Sequence, residues 1–119
     1  MVKLQIDELR KMLTEAGIPF VNKIRQMDAK TRKRLKPEER YGEAGKWWEN
    51  QVIYGGRTEI GTRFDAICCF GSYGAKEGLL ETYGELGRGE NGDPRIMTAR
   101  EAFEIIKKDW EARYGEKDG

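Results

Sequence analysis

Residues 65–81 read Asp65-Ala66-Ile67-Cys68-Cys69-Phe70-Gly71-Ser72-Tyr73-Gly74-Ala75-Lys76-Glu77-Gly78-Leu79-Leu80-Glu81. An apolar stretch stops at Gly71-Ser72-Tyr73-Gly74, and a second one, ending in a carboxylate, follows. Successive side chains of an extended chain point to opposite faces. Across residues 62–70 this puts Phe64, Ala66, Cys68 and Phe70 on one face and Arg63, Asp65, Ile67 and Cys69 on the other. The Phe face is the core candidate. Glycine reaches backbone angles that other residues avoid, so the Gly-Ser-Tyr-Gly run reads as a tight hairpin turn or a shaped site. Residues 78–83 read as a returning strand, with a short helix as the alternative. Strands joined by short glycine-rich turns favour an antiparallel sheet.

Outward from this hairpin, residues 5–16 read as a helix, because Ile6, Leu9, Leu13 and Ala16 share one stripe. Gly17 and Ile18-Pro19 end it. Residues 20–24 and 51–54 read as strands, and the glycine-rich stretch 84–95 as a loop. Thr98-Ala99-Arg100-Glu101 spells a capping box at the start of a final helix. The expected fold is therefore α+β: one domain over residues 1–114, with a small antiparallel sheet of three to four strands covered by N-terminal and C-terminal helices. Residues 28–46 form a basic insert or loop, and residues 115–119 a frayed tail.

Composition narrows the chemistry. The chain has 119 residues, enough to bury roughly two-thirds of its unfolded surface as one domain. Charged residues make up 36%, the net charge is +1, and no apolar run approaches the ~20 residues needed to span a bilayer. The N-terminal decapeptide is amphipathic and carries early acids, unlike a signal peptide. A cytoplasmic protein with no membrane partner is the expectation. Histidine is absent, which excludes Ser-His-Asp, Cys-His and mixed Cys/His zinc arrangements. Cys68 and Cys69 are adjacent, a spacing at which a disulfide is strained, so both read as reduced thiols. The expectation is no metal, no cofactor, no catalytic residue and no enzyme activity.

Charge is uneven. Residues 1–60 hold 13 Lys/Arg and 9 Asp/Glu; residues 61–119 hold 9 and 12. The basic excess centres on Lys30, Arg32, Lys33, Arg34 and Lys36. Followed by Trp47 and Trp48, it reads either as a solvated loop or as a surface for nucleic acid, since cations attract phosphates and rings stack on bases. Glu38, Glu39, Glu43 and Glu49 weaken that field. A protein partner fits the same residues, because Trp and Arg anchor interfaces.

Gly71, Ser72, Tyr73 and Gly74 form the second candidate, for a ligand or partner. No Gly-Lys-Ser/Thr follows at Walker spacing, so this is not a phosphate loop of that kind. Exposed amides, the Ser72 hydroxyl and the Tyr73 ring would line the contact. Asp65 and Glu81, with Glu77, would need to converge to act as acid and base or to hold a metal. The simpler account pairs Arg63 with Asp65, and Glu81 with Lys76 or Arg88.

The order of signals resembles small phage- and prophage-encoded proteins of Gram-positive bacteria, a group without established chemistry. Residues 17–20, 65–68, 71–74, 78–81 and 97–106 carry the resemblance; the basic insert does not. The resemblance implies an accessory protein that binds a host macromolecule in the host cytoplasm, host defence machinery among the candidates. The alternative is a nucleic-acid or nucleotide binder using the insert and the Gly-Ser-Tyr-Gly loop. A small enzyme using Asp65, Glu77 or Glu81 is the third reading.

Overall fold

The computed structural model describes residues 3–59 and 61–115. Its elements run α1 (Gln5–Glu15), β1 (Val21–Gln26), α2 (Ala29–Arg34), β2 (Trp47–Thr58), β3 (Gly61–Ile67), β4 (Leu80–Tyr83), β5 (Arg95–Met97) and α3 (Ala99–Tyr114). Single 3₁₀ turns occupy Pro37–Glu39, Gly42–Lys46 and Ala75–Glu77. The strands form one antiparallel sheet in the order β1-β2-β3-β4-β5. The fold is α+β, with five strands where the sequence suggested three to four. The missed strand is β5, three residues directly after Pro94, too short to show alternation. Its partner β4 recruits it through Leu80↔Met97 and Thr82↔Arg95.

The apolar alternation has the expected result. Phe64, Ala66 and Cys68 are fully buried, in one core with Val52, Tyr54, Leu80, Met97 and the stripes of α1 and α3. Burying Phe64 alone contributes roughly 1.5–3 kcal/mol relative to leaving it exposed. Phe70 departs from this face. The strand ends at Ile67, and Phe70 packs edge-on against Tyr41 and Trp48 instead. Both long helices lie on the Phe side. The opposite face carries Gln51, Ile53, Asp65, Ile67, Glu81 and Tyr83, by register across β2, β3 and β4.

The helix ends follow their signals. Thr98 accepts from the Glu101 amide while Glu101 accepts from the Thr98 amide, completing the capping box. The start of α1 has no side-chain cap; its Gln5 amide donates to the Gly78 carbonyl, and Gln5 Oε1 accepts from the Ala99 amide. One side chain thus fastens the openings of both long helices beside the 75–78 turn.

Residues 28–46 are more ordered than a loop. Asp28 caps α2 by accepting from the Thr31 amide. Arg32 donates to the carbonyls of Arg40 and Gly42, and Arg40 donates to those of Leu35 and Lys33. Two guanidiniums therefore replace a core inside the insert. Its closure needs glycine at Gly45, where a Cβ would stand 1.4 Å from the Arg40 carbonyl oxygen. β2 is also longer than expected: Trp47 pairs with Gln26, and a bulge at Gly55-Gly56 lets the strand continue to Thr58. Of the expected frayed tail, residues 116–119 lie outside the described residues.

Candidate functional site

The Gly-Ser-Tyr-Gly corner is built inward at one residue and outward at the next. Ser72 is buried; its hydroxyl donates to the Cys69 carbonyl and accepts from the Cys69 amide. That hydroxyl closes the turn, so it does not line a contact surface as expected from the sequence. Tyr73 is 69% exposed. Its backbone is nevertheless fixed, because its amide donates to Glu81 Oε1 at 2.7 Å. Gly74 adopts φ +80°, and a Cβ there would press on Ile96 at 2.9 Å.

Glu81 is the pin of this corner. It is 3% exposed, and its second oxygen accepts from the Tyr83 hydroxyl. Neither Lys76 nor Arg88 pairs with it: both oxygens are filled by neutral donors. Desolvation first, and then the bond to Glu81, push the Tyr83 phenol well above its ordinary range.

The expected Arg63–Asp65 pair does not form. Arg63 turns to Glu85 and Asp109, where the helix α3 carboxylate also accepts from the Tyr54 hydroxyl at 2.8 Å and pairs with Arg113 at 3.2 Å. Asp65 makes no ion pair among the described residues. Its Oδ2 accepts from Thr62 Oγ1 at 3.1 Å, while Oδ1 is buried without a partner. Burial raises the Asp65 carboxyl above its usual value; Thr62, the Gln51 amide diagonal to it, and Lys23 pull the other way.

Asp65 lines a cleft of about 340 Å³. Thr62, Tyr83 and Arg88 line it too, with Gly61, Gly84 and Gly92 as side-chain-free wall. At Gly84, with φ +93°, a Cβ would meet the Thr62 carbonyl oxygen at 2.7 Å, so close strand approach requires glycine there. Of these lining residues the sequence pattern singles out Asp65 and names Arg88 only as a partner for Glu81, and it passes over Tyr83 and Thr62. The available signal was Tyr83 two residues beyond Glu81, which places both on one strand face.

Among the described residues no group of three or more Cys, Asp or Glu side chains is placed to hold a metal ion, and Asp65 and Glu81 share one sheet face across β3 and β4. Glu77 is exposed on the 75–77 turn. The thiols are both buried, and desolvation pushes Cys68 up to about 12 and raises Cys69. A thiol so shifted is a poor nucleophile.

The corner and the insert, separate in sequence, are neighbours in space. The Gly42–Lys46 turn packs against the Ala75–Glu77 turn. Lys76 Nζ stands 5.3 Å from the Tyr41 ring centroid. Arg32 is spent on carbonyls, whereas Lys30, Lys33, Arg34 and Lys36 are exposed. Trp47 packs against the core; Trp48 lies between Phe70 and Arg25. Among the described residues, no helix is long and apolar enough to cross a membrane. Comparison of the chain with family models, with curated proteins and with solved structures finds no match.

Proposed function

We propose that this chain is a non-enzymatic binding protein that docks a protein partner on the Tyr73 corner and the adjoining insert. The observation that carries this reading is an aromatic ring 69% exposed on a backbone pinned by a buried carboxylate. An interface anchor of this kind loses little entropy on binding, because its backbone is already fixed. Ile96, 44% exposed beside Gly74, widens the apolar contact, and the free cations of α2 favour an acidic rim on the partner. The resemblance to phage and prophage proteins makes a host macromolecule the proposed partner, in the host cytoplasm, with defence machinery as one source.

The test is a tagged copy recovered from its native host and weighed by native mass spectrometry beside a Tyr73→Ala variant. The reading expects a protein that co-purifies with the parent and is lost at least about tenfold with the variant, at unchanged thermal midpoint. Equal recovery by both would overturn it.

A second reading, nucleic-acid binding, rests on Lys30, Lys33, Arg34 and Lys36, which make no ion pair among the described residues. It requires affinity for single-stranded DNA or RNA that falls steeply with salt. A flat salt response would remove it.

A further inference from the structure

The cleft at Asp65 is separate from the Tyr73 corner and is used by neither reading above. Three features of it point to a ligand. The first is an under-satisfied acceptor: Asp65 is 8% exposed, Thr62 fills only its Oδ2, the Gln51 side chain favours its charged form without donating at hydrogen-bond geometry, and its Oδ1 has no hydrogen-bond partner. A buried carboxylate oxygen left open is unfavourable for folding alone, and a donor from outside would relieve that cost. The second is a flat wall. Tyr83 lines the cleft and is held in place by its hydroxyl on Glu81, while Gly61, Gly84 and Gly92 leave part of the wall without side chains. The third is Arg88 at the rim, exposed, with its backbone fixed by a bridge to Pro94 and its guanidinium in no ion pair or side-chain hydrogen bond among the described residues. Donor demand inside, a flat wall and a free cation outside describe one kind of molecule.

We propose that this cleft binds a small ligand with a planar head bearing adjacent N–H donors, joined to an anionic group. The head lies along Tyr83 and donates to Asp65; the anion meets Arg88. The volume, about 340 Å³, is at the lower end of the range for small-molecule sites. Two sources share this chemistry. A guanine nucleotide presents an imino and an amino N–H side by side and carries a phosphate. Arginine presents a guanidinium and carries a carboxylate. Adenine places a lone pair beside its amino group, which an ionised carboxylate repels, and agmatine keeps the guanidinium but lacks the anion.

Isothermal titration of the full chain with guanosine 5′-monophosphate, adenosine 5′-monophosphate, L-arginine and agmatine separates these. The proposal expects either the guanine nucleotide or arginine to bind, with its control compound at least about tenfold weaker. Asp65→Asn should abolish that binding, and Arg88→Ala should weaken it about tenfold, both at a thermal midpoint no lower than the parent's. No heat from either ligand at 10 mM, to the order of magnitude of a weak metabolite site, would overturn the proposal. So would equal binding of each ligand and its control, or equal binding by the parent and Asp65→Asn. Loss of Tyr73-dependent partner capture would leave these titrations unchanged.

Discussion

Asp109 and Asp65 are both about nine-tenths hidden, yet the protein treats them in opposite ways. Asp109 is surrounded by donors: Arg63, Tyr54 and Arg113. Burial would raise its carboxyl, but the bonds from Arg63 and Tyr54 win, and the group stays below the usual range. Asp65 has the Thr62 hydroxyl, weaker help from Gln51 and Lys23, and one oxygen without a hydrogen bond, and there burial wins. Depth alone therefore does not set a carboxylate's state; the donors around it do. A carboxylate whose acceptors are filled belongs to the scaffold. One left open beside a cleft is available for something else.

The largest effect should come from breaking the finished network. Asp109→Ala strands the Arg63 guanidinium and the Tyr54 hydroxyl, both mostly hidden. The expected loss is about 3 kcal/mol, read as a lower urea midpoint at unchanged slope. A loss under about 1 kcal/mol would mean that the network is ornamental and the contrast with Asp65 empty.

Glu81 tests whether the rule extends to a third carboxylate. It sits diagonal to Asp65 on the same sheet face, since Ile67 faces Glu81 and Asp65 faces Tyr83. Both its oxygens are filled, so it belongs with Asp109. Glu81→Ala should cost about 2 kcal/mol. It should also release the Tyr73 amide, with hydrogen exchange there accelerating far more than at Phe64. Uniform exchange across both sites would show that Glu81 does not pin the corner.

The fold was largely legible because its signals are local. The alternation at 62–70, obeyed as far as Cys68, and the capping box at 98–101 each act within a few residues. The carboxylate network was not legible, because it depends on register. Arg63 and Asp65 are near neighbours in sequence, but Arg63 finds Glu85 and Asp109 once β4 and α3 are in place. Asp109 did leave a trace: it lies three residues beyond the buried Ile106, an acid at the edge of an apolar stripe. The internal order of the insert was hidden for a related reason. Low apolar content suggested a loop, but Arg32 and Arg40 supply the cross-links that apolar side chains usually provide.

Asp65 gives a smaller effect, of opposite sign. Its folded carboxyl is raised, so its contribution is fully present below the unfolded value of about 3.9 and is lost as pH climbs through the folded value. Asp109 runs the other way: its contribution is present above the unfolded value and is lost as pH falls through its lowered one. Asp65→Asn should therefore stabilise the protein by about 1 kcal/mol at pH 7, with the gain shrinking as pH falls through the raised folded value and gone below about pH 4. Thr62, Gln51 and Lys23 are the groups that favour the charged form, and the substitution leaves all three in the chain. A variant less stable than the parent at pH 7 would show that the open oxygen already has a use within the fold.

The smallest effect separates the partners of Asp109 from one another. Arg63 keeps only 20% of its side chain exposed, whereas Arg113 keeps 45% and reaches Asp109 from one helical turn away. Solvent screens the second pair and leaves the first largely intact. Arg113→Ala should then change stability by no more than about 0.5 kcal/mol, and that small change should vanish in about 1 M salt. The Asp109→Ala loss should persist in the same salt, because its bonds are hidden from counterions. If Arg113→Ala instead matched the loss from Asp109→Ala, the finished network would be a surface feature. The distinction between a filled carboxylate and an open one would then have to be drawn from charge at the surface, not from donors in the interior.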